Sequence, residues 1–311
     1  MATAHAHHHG HGHDHGAHGH AHEHHGSERR VFWAALLTAG FMLAEVAGGV
    51  LAGSLALVAD AAHMLTDAVS LGLAWFAFRI ARQPADWRRT YGFDRFQILA
   101  AFTNGVVLFL VAAWIVAEAV GRLVTPEPVL GGAMLAIAAL GLLANAAVFA
   151  ILHGGDRENL NVRGAILHVL GDMLGSVAAI LAAGIILLTG WTPADPILSV
   201  LVSLLVLRAA WRIAAEAGHI LLEGAPAGLD VRTIGPDLVE NVPGVADVHH
   251  VHAWSLTQKK PLVTLHARLE ESHGSQATLT AIKARLRERF GIGHATVEME
   301  RDGCADGRHD C

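Results

Sequence analysis

Beyond residue 30 the chain alternates long apolar runs with short polar breaks. A helix needs roughly 20 predominantly apolar residues to cross about 30 Å of hydrocarbon. Six runs meet that need, at 31–53, 55–80, 98–120, 129–152, 164–188 and 196–213. The sixth is the weakest in hydropathy, but Asp195 followed by Pro196 marks its start as an N-cap and a first-turn proline. Gly53 and Ser54 alone separate the first two runs, which makes those two spans an antiparallel hairpin. After Glu223 the pattern becomes that of a small folded domain. It predicts a helix over 231–241, a strand over 245–256, a turn, and a strand over 262–269 in which Val263, Leu265, Ala267 and Leu269 alternate with polar positions. An amphipathic helix over 276–290 and a strand over 296–300, with Val297 and Met299 facing in, complete it. The predicted fold is therefore a multi-span α-helical membrane protein of six transmembrane helices with a C-terminal α+β domain. The expected divisions are a disordered His-rich tail over 1–28, the transmembrane domain over 29–215, the α+β domain over 216–300 and a disordered tail over 301–311.

Composition agrees with membrane residence. Hydrophobic residues make up 53% of the 311 and charged residues 16%, against about 25% charged in an ordinary soluble protein. A net charge of −6 with no basic block gives no electrostatic footprint for nucleic acid. The two cysteines, Cys304 and Cys311, both lie near the C-terminus and offer no disulfide framework. The polar, histidine-rich start lacks the apolar core of a secretory signal. Arginine sets the orientation, because short cytoplasmic loops carry the excess of positive charge. Arg29 and Arg30, the group Arg79, Arg82, Arg88, Arg89 and Arg95, the pair Arg157 and Arg163, and Arg208 and Arg212 all fall on one side. The opposite loops hold Arg122 alone, so both termini are expected in the cytoplasm.

Ionisable groups within a spanning helix are costly in lipid and mark ion pathways. Two spans repeat one pattern: His63-x-x-x-Asp67 in the second and His168-x-x-x-Asp172 in the fifth. A spacing of four puts both side chains on one helix face, about 5–6 Å apart at Cβ. Each helix thus supplies half of a site, and two halves give two imidazoles and two carboxylates, a set suited to tetrahedral Zn²⁺. The two helices run in opposite directions in this topology, so the pairs can converge near the midplane, where transporters place their sites. Asp60, one turn before His63, is a candidate proton or charge relay; Glu45, Asn104, Glu118 and Asn145 read as interhelical contacts or cavity lining. Twelve of the 23 histidines lie in residues 1–28, a tract that binds divalent ions without selecting geometry and so acts as a collector of metal rather than its selector.

At these residues a family resemblance becomes specific. The segments 54–67, 91–95 with 98–101, and 161–172, together with Asp195-Pro-Ile-Leu and 220–226, resemble the zinc-transporting cation diffusion facilitators, in the family's order and from about residue 30 to 300. The resemblance implies six spans, a cytoplasmic metallochaperone-like domain, a homodimer and metal/proton exchange, with His63, Asp67, His168 and Asp172 as the transport site. Gln97 stands where the family often has an acidic residue, and the loop 79–97 offers Asp86 and Asp94 but no histidine for the loop site of some members. The segment 247–256 resembles the family's strand of regulatory metal ligands, and His266 with the pair Glu298 and Glu300 matches further ligand positions. The candidates there are His249, His252, His266, Glu298 and Glu300. Regular alternation sends His249 and His252 to opposite faces, so one site takes both only through a bulge or a dimer partner.

Zinc ligation requires neutral imidazole and ionised carboxylate, so binding competes with protons, and histidine titrates near pH 6.5, close enough to neutrality for that to matter. With no phosphate-binding Gly-x-x-x-x-Gly-Lys-Ser/Thr motif, the proton gradient becomes the expected energy source. The expected activity is Zn²⁺/H⁺ antiport out of the cytoplasm across a bacterial inner or plasma membrane. Zinc is both the substrate and the regulatory ligand, and lipid, protons and a second copy of the chain are the partners. The alternatives are an exporter of broader range, taking Cd²⁺, Co²⁺ or Ni²⁺, and a membrane zinc sensor or store. An enzyme is not expected, since no His-Glu-x-x-His motif supplies a hydrolytic zinc site.

Overall fold

The computed structural model describes residues 18–52, 55–125, 131–270, 274–301 and 304, with side chains described throughout these ranges except at 18–25, 45, 48–52 and 55–63. Six long helices form the membrane part: α1 (His18–Ala52), α2 (Leu55–Ala81), α3 (Arg95–Val124), α4 (Gly131–His153), α5 (Leu160–Thr189) and α6 (Ala194–Leu221). Five of them, α2 to α6, contain described stretches long and apolar enough to span a membrane. The outer surface of the bundle is apolar, with Val69, Leu110, Leu143, Leu188 and Leu201 all exposed. In water such a surface would be unfavourable; against lipid tails it is the expected one.

Successive helices alternate in direction. α1 packs along α2, α4 along α5 and α3 along α6. The α3–α6 seam is held close by small residues: a Cβ on Gly105 would come within 3.1 Å of the Ala214 backbone nitrogen. Buried side chains from α1, α2, α4 and α5, among them Val31, Leu71, Phe78, Val148, Leu152 and Val162, form one core.

Two boundaries differ from the sequence expectation. The first helix starts at His18, about ten residues inside the stretch assigned to the tail. Its start is tied to its neighbours: Ser27 and Glu28 are buried, Ser27 Oγ accepts from the Asp156 amide at 3.0 Å, and Arg82 donates to Glu28 at 2.7 Å. Side chains that gain such partners favour continuing a helix that composition alone does not call for. The expectation of disorder for residues 1–17 lies outside the described residues, as does most of the C-terminal tail. At the other end α6 continues eight residues past 213, to Leu221, where Arg163 on α5 pairs with Glu216 at 2.7 Å.

The C-terminal domain follows the predicted order. A 3-10 turn (Val231–Thr233) leads into α7 (Ile234–Asn241), then β1 (Val245–Ser255), β2 (Pro261–Leu269), α8 (Ser275–Phe290) and β3 (His294–Glu300). The sheet order is β1-β2-β3, with β1 antiparallel and β3 parallel to β2. Both helices cover one face, over a core of Ile234, Leu238, Val263, Leu265, Ile282 and Leu286. The β1–β2 turn docks on the bundle: Lys259 reaches Asp156 at 2.9 Å and Glu158 at 3.1 Å, and Lys260 reaches Asp94 at 2.5 Å. The cytoplasmic-side arginine loops of the sequence reading therefore lie at the same end of the bundle as this domain.

One ion pair joins the two helices of the domain. Arg285 makes two parallel hydrogen bonds to Asp237, at 2.6 and 2.7 Å. These bonds outweigh the effect of burial and, with the charges of Arg285 and Arg289, hold the Asp237 carboxyl below its usual range. A depressed native pKa means stability that is complete above the ordinary aspartate value of about 3.9 and is lost as pH falls through the lower native value. Local opening of α7, read from hydrogen exchange at Leu238 corrected for the intrinsic rate, should therefore become easier in the parent only in that acid window. In Asp237→Asn it should be easier already at pH 7 and flat through the window; a parent-like profile in Asp237→Asn would remove the pair's role.

Candidate metal centres

The fourfold spacing read from the sequence places His168 and Asp172 on one face of α5, and Asp67 meets them from α2. One ligand atom from each of Asp67, His168 and Asp172 lies within 4.8 Å of the others. His168 Nε2–H donates to Asp67 Oδ1 at 2.6 Å, and the same nitrogen stands 3.8 Å from Asp172 Oδ2. Asp67 is buried, and the other two side chains are about 15% exposed. His63 and Asp60 belong to α2 one and two turns before Asp67, but their side chains lie outside the described residues.

A cavity of about 440 Å³ opens beside this cluster. Leu108 to Ile115 on α3, Met134 to Asn145 on α4, Gly175 to Ala179 on α5 and Ser199 to Val206 on α6 line it. Given the helix directions, these segments run from the cluster to the end of the bundle away from the C-terminal domain. Nearer that domain a separate space of about 20 Å³ is walled by Ser70, Asn104, Gly105, Gly164 and Ile213. The polar residues read as lining or contacts fall accordingly. Asn145 lines the large cavity, Asn104 donates to the Ser70 carbonyl at 3.0 Å, and Glu118 pairs with Arg122 one turn away at 3.1 Å. The Glu45 side chain is outside the described residues. Gln97, the departure from the family pattern, is buried in a polar node at the start of α5, where its side chain accepts from Asn159 at 2.7 Å and its carbonyl from Asn161 at 2.8 Å.

A second centre lies on the helix-free face of the C-terminal sheet. Val248, Val251 and Ala253 all pack into the domain core, and the three-residue step from 248 to 251 requires one extra residue in β1. The register shows it: His249 pairs with His266 but His252 with Thr264. His250 takes up the bulge with φ of 50°, in the left-handed region. The bulge turns both His249 and His250 outward, next to His266 on β2 and Glu298 and Glu300 on β3. His266 Nδ1–H donates to Glu300 Oε1 at 2.9 Å and its Nε2 lies 3.6 Å from Glu298, while His249 Nδ1–H donates to Asp247 at 3.1 Å and its Nε2 faces Glu300 Oε2 at 3.2 Å. Burial alone would raise the Glu300 carboxyl. Hydrogen bonds from His266 and Cys304 and the charges of His249 and His266 outweigh burial and hold it below the usual range. A buried carboxylate ringed by imidazoles, with no arginine or lysine among these partners, is a cation site in its chemistry.

Of the five residues expected there, four come together. His252 is the exception, exposed and two residues farther along β1, outside the clusters among the described residues. His250 and Cys304, which the sequence reading did not select, stand in its place. The signal for the bulge was present in the chain, since the apolar positions 248, 251 and 253 break the two-residue period. His294, at the start of β3, stacks edge-on against Tyr91 at 5.9 Å between ring centres.

A six-helix membrane bundle with a buried carboxylate–imidazole cluster on an internal cavity, joined to a small domain with its own metal-ligand face, defines a membrane transporter of metal cations. Residues 31–222 match the cation efflux transmembrane domain and residues 234–302 the cation efflux protein cytoplasmic domain. The chain belongs to this family, the cation diffusion facilitators, which are transporters. It is 52% identical over 277 residues to the zinc transporter ZitB of Escherichia coli, covering 89% of this chain and 88% of that protein. It is 41% identical over 281 residues to a cadmium, cobalt and zinc/H(+)-K(+) antiporter of Bacillus velezensis, covering 88% and 89%. It is also 41% identical over 280 residues to the metal cation efflux system protein CzcD of Cupriavidus metallidurans, covering 90% and 88%.

Proposed function

We propose that this protein is a homodimeric Zn²⁺/H⁺ antiporter that exports zinc from the cytoplasm across a bacterial inner membrane, with both termini cytoplasmic. His63, Asp67, His168 and Asp172 form the transport site. The observation that carries the exchange is at one atom. Nε2 of His168 lies 2.6 Å from Asp67 Oδ1, so a proton shared with that carboxylate sits on the same nitrogen whose lone pair zinc needs. Metal and proton therefore exclude one another at His168, and each turn of the cycle trades one for the other. The large cavity faces away from the C-terminal domain, which suits the half-cycle that releases zinc to the outside and takes up protons. Asp60 is assigned a place in the proton path.

The C-terminal domain binds zinc as a regulatory ligand through His249, His266, Glu298 and Glu300, and pairs two protomers. Its small core gains by burying surface against a copy of itself. The ZitB proteins are named for zinc alone and the Bacillus relative for cadmium and cobalt as well, so zinc is the preferred ion and a broader range the second reading.

The test is flux in proteoliposomes with the protein inserted and a pH difference imposed. Zinc should accumulate when the interior is acid and stop when a protonophore collapses the gradient. Flux indifferent to the gradient would overturn the exchange. Zinc binding with no flux in any condition would favour a sensor or store.

A further inference from the structure

The thiol of Cys304, which hydrogen-bonds Glu300, and the ring of His250 are not among the four ligands assigned above, yet both border that site. We propose that Cys304 and His250 join His249 and His266 in a three-imidazole, one-thiolate site for a borderline or soft divalent ion, Zn²⁺ or Cd²⁺, on the outer face of the C-terminal sheet. This deepens the regulatory reading and rests on it.

One ligand atom from each of the four residues lies within 4.8 Å of the other three. Cys304 Sγ stands 3.8 Å from His250 Nδ1 and 3.7 Å from His266 Nδ1. For zinc, with nitrogen at 2.0–2.1 Å and sulfur at 2.3 Å, the edge of a tetrahedron between them is about 3.6 Å. These two separations are thus close to a ligand edge, and on binding metal His266 would give up the proton it shares with Glu300. The three rings crowd together, with centres 5.0 Å apart for His249 and His250, 4.8 Å for His250 and His266 and 5.5 Å for His249 and His266.

Two features show that this arrangement is built. His250 occupies the left-handed region, which a residue with a Cβ enters at a cost and keeps where its surroundings impose it. The bulge there moves its ring from the core side to the histidine cluster. Second, a carboxylate orients the first ring: Asp247 accepts from His249 Nδ1–H and leaves Nε2 turned inward, the usual support for a metal-bound imidazole. Glu300, buried under the cluster, adds negative charge that favours a cation. Bound metal would pin the segment after β3 to the sheet through Cys304.

Cobalt is the probe, because Co²⁺ bound to a thiolate gives an intense near-ultraviolet charge-transfer band that imidazole and carboxylate cannot give. The transport site and the N-terminal histidines contain no sulfur and are silent in it. Full-length protein in detergent is titrated with Co²⁺ as the parent and as Cys304→Ser, Cys311→Ser, His250→Ala and His266→Ala. The band should appear in the parent and in Cys311→Ser and vanish in Cys304→Ser. In His250→Ala, half-saturation of the band should require about tenfold more cobalt or beyond, the scale of losing a ligand or its support. The proposal is overturned by a parent without the band, by its survival in Cys304→Ser, or by an unchanged titration in His250→Ala. The visible cobalt absorption separates the two readings. If part of it is lost in His266→Ala while no charge-transfer band ever appears, the carboxylate–imidazole regulatory site stands and the thiolate site falls. If His266→Ala changes neither, both fall.

Discussion

Asp67→Ala and Asp172→Ala each lower the initial rate of zinc transport by about 100-fold or more, with the protein still folded, inserted and dimeric. Losing even an outer-shell partner of a metal ligand costs about 10–100-fold in metal affinity or activity, so losing a ligand itself costs at least the upper end of that range. Asp67 is the more exacting test, because it is buried and bonds His168 directly, at 2.6 Å. Without it the imidazole loses the group that orients its nitrogen toward the site. Asp67→Asn keeps the volume and the hydrogen-bond acceptor but not the charge. It should be nearly as inactive, since a neutral amide oxygen is a weak ligand and leaves zinc's double charge uncompensated in a region of low polarity. The measurement is zinc uptake into vesicles at saturating pH difference, with far-ultraviolet circular dichroism and elution volume as controls on fold and assembly. Zinc flux in either alanine variant within threefold of the parent would show that the transport route avoids this cluster.

The bundle was legible because lipid imposes a simple rule, and residues 98–120 and 164–188 are apolar apart from a few positions, among them Asn104, Glu118, His168 and Asp172. Three of the candidate transport ligands, Asp67, His168 and Asp172, stand out for a related reason and lie together in the structure. A histidine and an aspartate four apart inside an apolar run have few structural uses, and the second copy at 168 and 172 removes most of them. What the pattern did not carry was the meeting of Asp67 with His168 through a single nitrogen, which depends on how α2 and α5 are rotated against each other. The start of α1 was misplaced because Ser27 and Glu28 are helical through contacts with residues 54 and 129 positions away, and no local preference encodes those. In the C-terminal domain the strands were found within two residues of their ends, since alternation is strong in β2. His252 was chosen over His250 because the bulge was treated as a condition to be met and not located. The core positions Val248 and Val251 locate it once the sheet pairing is known.

Replacing either transport histidine by aspartate converts a zinc-selective site into one that accepts cadmium. In the proposed four-ligand set His63 and His168 supply two imidazoles, a number and geometry that suit the small Zn²⁺ ion. Cadmium is larger and takes more ligands, and an aspartate in place of histidine supplies extra oxygens and another negative charge. His63→Asp and His168→Asp should each lower the ratio of zinc to cadmium uptake rates by about tenfold, equivalent to roughly 1.4 kcal/mol of lost discrimination. The same substitutions should alter the response to pH. In the parent, protons compete with zinc at imidazole, so uptake from the loading side falls as that side is acidified from about pH 8 to 5. Aspartate, with an ordinary value of about 3.9, stays ionised across that range and does not release metal to the same protons. Zinc loading in each variant should therefore fall less steeply between pH 7 and 5 than in the parent, since one imidazole remains, while the uphill transport driven by the pH difference weakens because one proton-exchanging group is gone. The experiment is initial-rate uptake of Zn²⁺ and Cd²⁺ from pH 5 to 8 for the parent and both variants. His168→Asp carries the sharper consequence, since the His168 Nε2 lies 2.6 Å from Asp67 and is the atom at which metal and proton compete in the proposed cycle. A parent-like pH profile in His168→Asp would mean that the exchanged proton is carried elsewhere, with Asp60 the next residue to replace.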